Sequence, residues 1–358
     1  MRLFVMEAEK YRKMKKVLFF LMASALLLSC SEKDRKGFLL PGVTGNSFEA
    51  MVVTTEPVWN SESGSVLKEV LAGNMEGLPQ PEPYFKLSYC PRSQFDDIMK
   101  PMRNIVLVDV DPQMYTQAKI KYERERWARS QALICITSPD KAGVTKIVCD
   151  NKDNIRRFFS DAEAERMLEV HEKSVNSEGS QKVKDMFGVN LLVPASLDKS
   201  KVGEDFIWFS NVKYDDIQNI VVYKFPYKDT SDLSVESLVR RRDSVMKINV
   251  PGAAPDSYVA TEKSDKYGRA PVSYVLNVDG RYTVEIRGFW YMENMVMAGP
   301  FVSRACLSAD HKDVIVTECF LFAPNKNKRN ILRSLESALS SLEVKADTTA
   351  VAKPDSLR

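Results

Sequence analysis

Twelve apolar or small residues run unbroken from Val17 to Leu28, and this stretch decides which part of the chain can fold in water. As a helix, at about 1.5 Å per residue, the run is roughly 18 Å long. That is too short for the ~30 Å hydrocarbon core of a bilayer. Lys15 and Lys16 stand immediately before it. A basic flank and a short oily core make an export signal rather than a membrane span. No later apolar run reaches the roughly 18 residues a span needs, so everything after it is expected to live in water.

The run stops at Leu27-Leu28-Ser29-Cys30, and Ser31-Glu32-Lys33-Asp34 follows at once. The tetrapeptide resembles the lipobox of bacterial lipoproteins, with an aliphatic residue three before the cysteine and a small one just before it. The resemblance implies cleavage before Cys30 and attachment of acyl chains such as palmitate to its thiol. Each buried methylene contributes about 0.8 kcal/mol, so roughly two chains anchor a protein stably. Glu7 and Glu9 suit a signal poorly whereas Met14-Lys15-Lys16 begins one well, so the expected start is Met14. The short acidic stretch after Cys30 also resembles, over few residues, the export tag of some Bacteroidetes surface lipoproteins. The membrane face is left open.

Removing residues 1–29 changes the charge. They hold six of the 51 basic and two of the 48 acidic residues, which leaves 45 basic and 46 acidic, a net charge of −1. A near-neutral chain has no electrostatic case for binding nucleic acid. Beyond Cys30 five cysteines remain, so at least one is unpaired within the chain. A tight turn at Ala309-Asp310-His311-Lys312 would set residue 306 opposite about residue 315. Cys306 and Cys319 are then out of register for a disulfide, and the thiols read as small buried apolar groups.

Residues 30–45 read as a tether and 344–358 as a disordered tail. Between them strand signals outnumber evenly spaced helices: 48–54, 84–89, 104–110 and 132–138, then stretches beginning at 189, 206 and 219, and 313–324. The predicted helices are 65–71, an imperfect stripe across about 152–187, SVESLVRRRDSVM and KRNILRSLESALSSL. This supports an α+β fold, with mixed, largely antiparallel sheets and flanking helices. Two α+β halves are expected, 46–187 and 188–343. PYFKLSYC, FDDI and RNIVLV in the first share an order with DFIWFSN, YDDI and QNIVVY in the second. Related halves are one arrangement this allows.

Catalytic raw material is thin. His171 and His311 are the only histidines, and neither belongs to a zinc-binding pair. No metal site and no cofactor motif is expected. The cysteines have neither a C-x-x-C spacing nor an adjacent histidine. Asp96-Asp97 and Asp215-Asp216 read as turn caps, since neighbouring residues of an extended chain point apart. Asp109 and Asp111 share a strand face and are the carboxylates for the alternative reading, an envelope hydrolase. The densest unusual stretch is RGFWYMENMVMAGPFVSR, 287–304, where aromatics and methionines crowd beside two arginines. Arg287, Trp290, Phe301 and Arg304 are the candidate contacts for a partner or ligand, set against a hairpin that packs its large residues into the core.

The motifs LPQPEP (78–83), RNI (103–105), Arg287-Gly288-x-Trp290, Gly299-Pro300-Phe301-Val302 and FAPNKNKR recur in one pattern. It resembles an uncharacterised lipoprotein family of the Bacteroidetes, classed as a domain of unknown function. The resemblance spans nearly the whole chain after Cys30 and implies a cell-envelope, outer-membrane lipoprotein with no catalytic residues to carry over. The sequence as a whole favours a lipid-anchored module that binds an envelope protein or small ligand, over catalysis.

Overall fold

The computed structural model describes residues 40–344, apart from 212, 214, 266–268 and 279. The export signal, Cys30, most of the tether and the tail beyond 344 lie outside the described residues.

The first sheet is built from β1 (Glu49–Thr54), β2 (Lys86–Pro91), β3 (Asn104–Val110), β4 (Lys119–Arg124) and β5 (Ala132–Ser138), in the order β2-β1-β3-β5-β4. Its pairs are parallel except β4 with β5. Helices α1 (Glu56–Trp59) and α2 (Glu62–Ala72) carry the chain from β1 to β2, as a parallel pair requires. α3 (Lys141–Asp150) and α4 (Lys152–Glu172) follow β5. Leu67, Leu71, Val144, Val148 and Phe159 from the helices cover Val52, Val106, Ile134 and Ile136 of one face. On the other face Val53, Ile105 and Leu133 lie under Phe95, Met99, Met102 and Trp127 from loops. Both faces are covered, which is why β3 and β5 read as near-continuous apolar runs.

The second half starts with α5 (Ser177–Phe187), β6 (Val189–Asn190), β7 (Lys199–Val202), β8 (Phe206–Ser210) and β9 (Ile217–Pro226). Then come α6 (Val235–Asn249), β10 (Val259–Thr261), β11 (Val272–Val278), β12 (Arg281–Met292), β13 (Ala298–Leu307), β14 (Asp313–Phe322), α7 (Arg329–Leu339) and β15 (Glu343–Val344). The sheet runs β10-β12-β13-β14-β9-β8-β7, with β11 also on β12, and every pair is antiparallel. α5 and α7 pack on one face around Val302, Cys306, Ile315 and Cys319. α6 packs on the other around Trp290, Phe301, Val316 and Phe320.

The fold is α+β with mixed sheets. Three details differ from the sequence reading. The stripe across 152–187 is two helices broken at 173–176, and α5 buries Val183 and Phe187 in the second core. The cores therefore divide ahead of α5 rather than after residue 187. The shared strings do not form a shared unit either. β8 and β9 are antiparallel neighbours, whereas β1 lies between β2 and β3. The turn at 309–312 does set Cys306 opposite Ile315, and all five described cysteines are free thiols.

Candidate binding groove between the two halves

Arg287, Trp290, Phe301 and Arg304 do not form one surface. Side chains alternate across a strand, so the odd spacing from 287 to 290, and from 301 to 304, sends each pair to opposite faces. Trp290 is 2% exposed and Phe301 1% exposed, both in the core beneath α6. The Trp290 Nε1 donates to the Leu321 carbonyl at 3.2 Å, and the Arg242 guanidinium stacks over the Phe301 ring. The register sets Gly288 opposite Phe301 and Gly299 opposite Trp290. A Cβ on Gly299 would meet the Leu321 carbonyl oxygen at 2.0 Å. The motif glycines thus make room for core aromatics, and the core reading of this hairpin holds for its two large rings.

Arg287 and Arg304 face α7 instead. Arg287 donates to both oxygens of Glu336 at 2.9 Å and to Glu285 at 2.8 Å. Arg304 donates to Glu285 and to the Ser340 hydroxyl, and Arg333 donates to Glu336. Burial pushes the Glu336 carboxyl up, and the arginines, Arg287 foremost, more than reverse this and hold it at about 2. This network fastens α7 to the sheet.

The first half reaches the same helix. Glu82, 5% exposed, accepts hydrogen bonds from the backbone N–H of Lys328 and of Arg329. It thereby satisfies amides that the helix leaves open at its first turn, where Lys328 caps nothing with its own side chain. Gln80 donates to the Lys326 carbonyl, and His171 Nε2 lies 2.9 Å from the Ser334 carbonyl. LPQPEP and FAPNKNKR, distant in sequence, are one joint in space.

Beside this joint runs a groove of about 710 Å3, within the roughly 300–1,000 Å3 of ligand sites. One wall is α4, with Asp153, Arg156, Arg157, Ser160 and Asp161; the opposite wall is residues 274–278 of β11. Arg287, Arg304, Arg333 and Glu285 form its floor. Tyr274 donates to Glu76 across it, and burial together with that bond pushes its hydroxyl up to about 12. Burial also raises the Asp161 carboxyl, an effect Arg157, Arg124 and Arg333 partly offset. Arg157 and Asp161 are exposed on the groove's wall, and Ser160 lies half-buried between them. The first-half wall escaped the sequence reading because α4 carries only ordinary helix charges.

The other sequence candidates take separate places. Asp109 accepts from the Tyr115 hydroxyl in a groove of about 380 Å3. Asp111 caps the amides of Gln113 and Met114, so the two carboxylates do not work as a pair. Asp96 caps Ile98 and Met99, Asp97 pairs with Lys100, Asp215 pairs with Lys326, and Asp216 accepts from Gln218. His311 occupies a left-handed turn position, φ 58°. Among the described residues no group of three or more His, Cys, Asp or Glu gathers to hold a metal ion, and no helix is long and apolar enough to cross a membrane.

Residues 43–172 match the family model described as Domain of unknown function (DUF8532), and residues 176–341 match Domain of unknown function (DUF4837). No curated protein matches the chain. Solved structures similar over part of it include a mutant of protein Mog1, at TM-score 0.29 and 10% identity, over 44% of this chain and 92% of that one. The Ran-binding protein Mog1p of Saccharomyces cerevisiae gives TM-score 0.29 and 9% identity, over 44% and 90%. A structure from Bacteroides thetaiotaomicron VPI-5482 gives 0.24 and 11%, over 44% and 46%. At these scores the likenesses carry no argument for this chain. The chain is thus similar, in tandem, to two domains of unknown function, DUF8532 followed by DUF4837.

Proposed function

We propose that this chain is a lipid-anchored protein of the cell envelope that binds a partner or ligand in the groove between α4 and β11. The single observation behind the binding role is that groove, on which arginines and carboxylates of α4, β12 and β13 converge. Charged groups that converge in a concave surface favour a ligand of complementary charge. The lipid anchor rests on Leu27-Leu28-Ser29-Cys30 and the run before it.

Two measurements test this. Cells fed an alkyne fatty acid should label the wild-type chain and leave Cys30→Ala unlabelled; equal labelling of both ends the anchor reading. A photo-cross-linking residue placed at Ser160 in the full chain should give one discrete adduct in cells. Asp161→Lys should remove that adduct without lowering the melting temperature. Absence of any adduct at Ser160 counts against the groove.

A further inference from the structure

The edge strands of this protein are not equally protected. An open edge templates pairing with another chain, and proteins guard it with charge, proline or brevity. β4 at one edge of the first sheet is KIKYER, with four charges in six residues, and β2 at the other begins with Lys86 and ends in Pro91. β7 is the four-residue KSKV with two lysines, and β10 has three residues. β11 is VSYVLNV, seven residues with no charge and no proline. It pairs with β12 on one side only. Among the described residues, its backbone makes no hydrogen bond outside that ladder.

β11 borders the groove. Five consecutive residues, 274–278, line it. The register closes on Val278 opposite Arg281 across two residues. In a hairpin of that length the closing pair exchanges hydrogen bonds, so 273, 275 and 277 turn their N–H and C=O groups outward.

The facing wall supplies a charge pattern. Asp153, Arg157 and Asp161 are four residues apart on α4 and form one stripe, about 6 Å between neighbours. Same-face side chains of a strand recur at about 6.7 Å, a repeat that matches the stripe for a strand lying alongside α4.

We propose that β11 accepts an extended peptide of a partner protein as an added strand, with basic, acidic and basic side chains at alternate positions facing Asp153, Arg157 and Asp161. The proposal rests on the groove reading and specifies its partner. Backbone hydrogen bonds supply affinity and the α4 stripe supplies selection.

The test uses the full chain and blocked nine-residue peptides labelled for fluorescence anisotropy. One carries Lys-Glu-Lys at alternate positions between valines, and the other Glu-Lys-Glu. The wild type should prefer Lys-Glu-Lys. Val275→Pro should weaken it by about tenfold or more by removing one outward N–H, and should fold normally because Pro is tolerated where the N–H faces away from the sheet. Arg157→Glu combined with Asp161→Lys should reverse the preference between the peptides. No binding of either peptide, or equal binding to wild type and Val275→Pro, overturns the strand-addition proposal. An adduct at Ser160 in cells would still leave the groove reading standing. A dimer in sedimentation that Val275→Pro abolishes also overturns the proposal, in favour of edge-to-edge pairing of two copies.

Discussion

Arg287 and Glu336 meet in a two-point ion pair, Nη1 to Oε1 and Nη2 to Oε2, each at 2.9 Å. The two side chains are 13% and 5% exposed. A pair this dry is worth little relative to apolar residues of the same shape, yet breaking it strands a charge. Arg287→Ala should therefore cost about 3–5 kcal/mol of unfolding free energy. Arg287→Met with Glu336→Leu should recover most of that loss. Denaturant unfolding of the three chains checks this; a double variant no better than Arg287→Ala would show that the charges themselves hold α7.

The same pair sets an acid response. Folded Glu336 titrates at about 2, below its ordinary 4.5. A carboxyl depressed by folding stabilises the protein above its unfolded value and loses that contribution as pH falls through the folded one. The difference in melting temperature between wild type and Glu336→Gln should thus shrink as pH drops from 4.5 towards 2. A gap that stays constant over this window would refute the assignment.

Neighbours on β12 should respond in opposite ways. Trp290→Ala empties a core position and should cost about 3–5 kcal/mol. Tyr291, 36% exposed on the other side of the strand, should change stability by no more than about 0.5 kcal/mol when replaced by Ala. Thermal unfolding distinguishes them. Loss of partner binding in a Trp290 variant would therefore report unfolding and not a lost contact.

Thiol reactivity should follow burial. Cys149 is exposed, while burial pushes Cys306 up to about 11 and Cys319 well above the ordinary thiol value. A thiol reagent near neutral pH should modify Cys149 first, and Cys306 and Cys319 only on unfolding, as site mapping by mass spectrometry reads out. Early modification of Cys319 would contradict the packing of β14 against α5 and α7.

Local patterns carried the strands well. IVLV and ALICITS announce β3 and β5, and the turn at 309–312 fixes the register of β13 with β14. What failed was anything that depends on partners. KIKYER carries no apolar run to announce a strand, yet it is the edge strand β4, where charge guards the open side. Lys141–Asp150 is a helix outside the predicted set, and Asp140 starts it by accepting from the Gly143 N–H. The 287–304 cluster looks like one surface in sequence. Period-two alternation divides it into a core face and an ion-pair face. The groove joins residues more than a hundred positions apart, and no local signal marks such a junction.

Glu82 offers the sharpest check on how the halves are joined. Its carboxylate accepts from the Lys328 N–H at 2.7 Å and from the Arg329 N–H at 2.9 Å, across 246 and 247 positions of chain. Both amides belong to the open first turn of α7, and burial denies them water. Glu82→Ala should cost about 1–3 kcal/mol by leaving them unpaired. Glu82→Gln keeps a carbonyl acceptor at the same reach, so it should recover part of that loss. The local signature is amide exchange: Lys328 and Arg329 should exchange faster in Glu82→Ala, while the amides of β3 and β5 exchange as in the wild type. Unchanged exchange at Lys328 and Arg329 would mean that α7 caps itself, and the loop 78–83 would lose its role as the clasp between the two sheets.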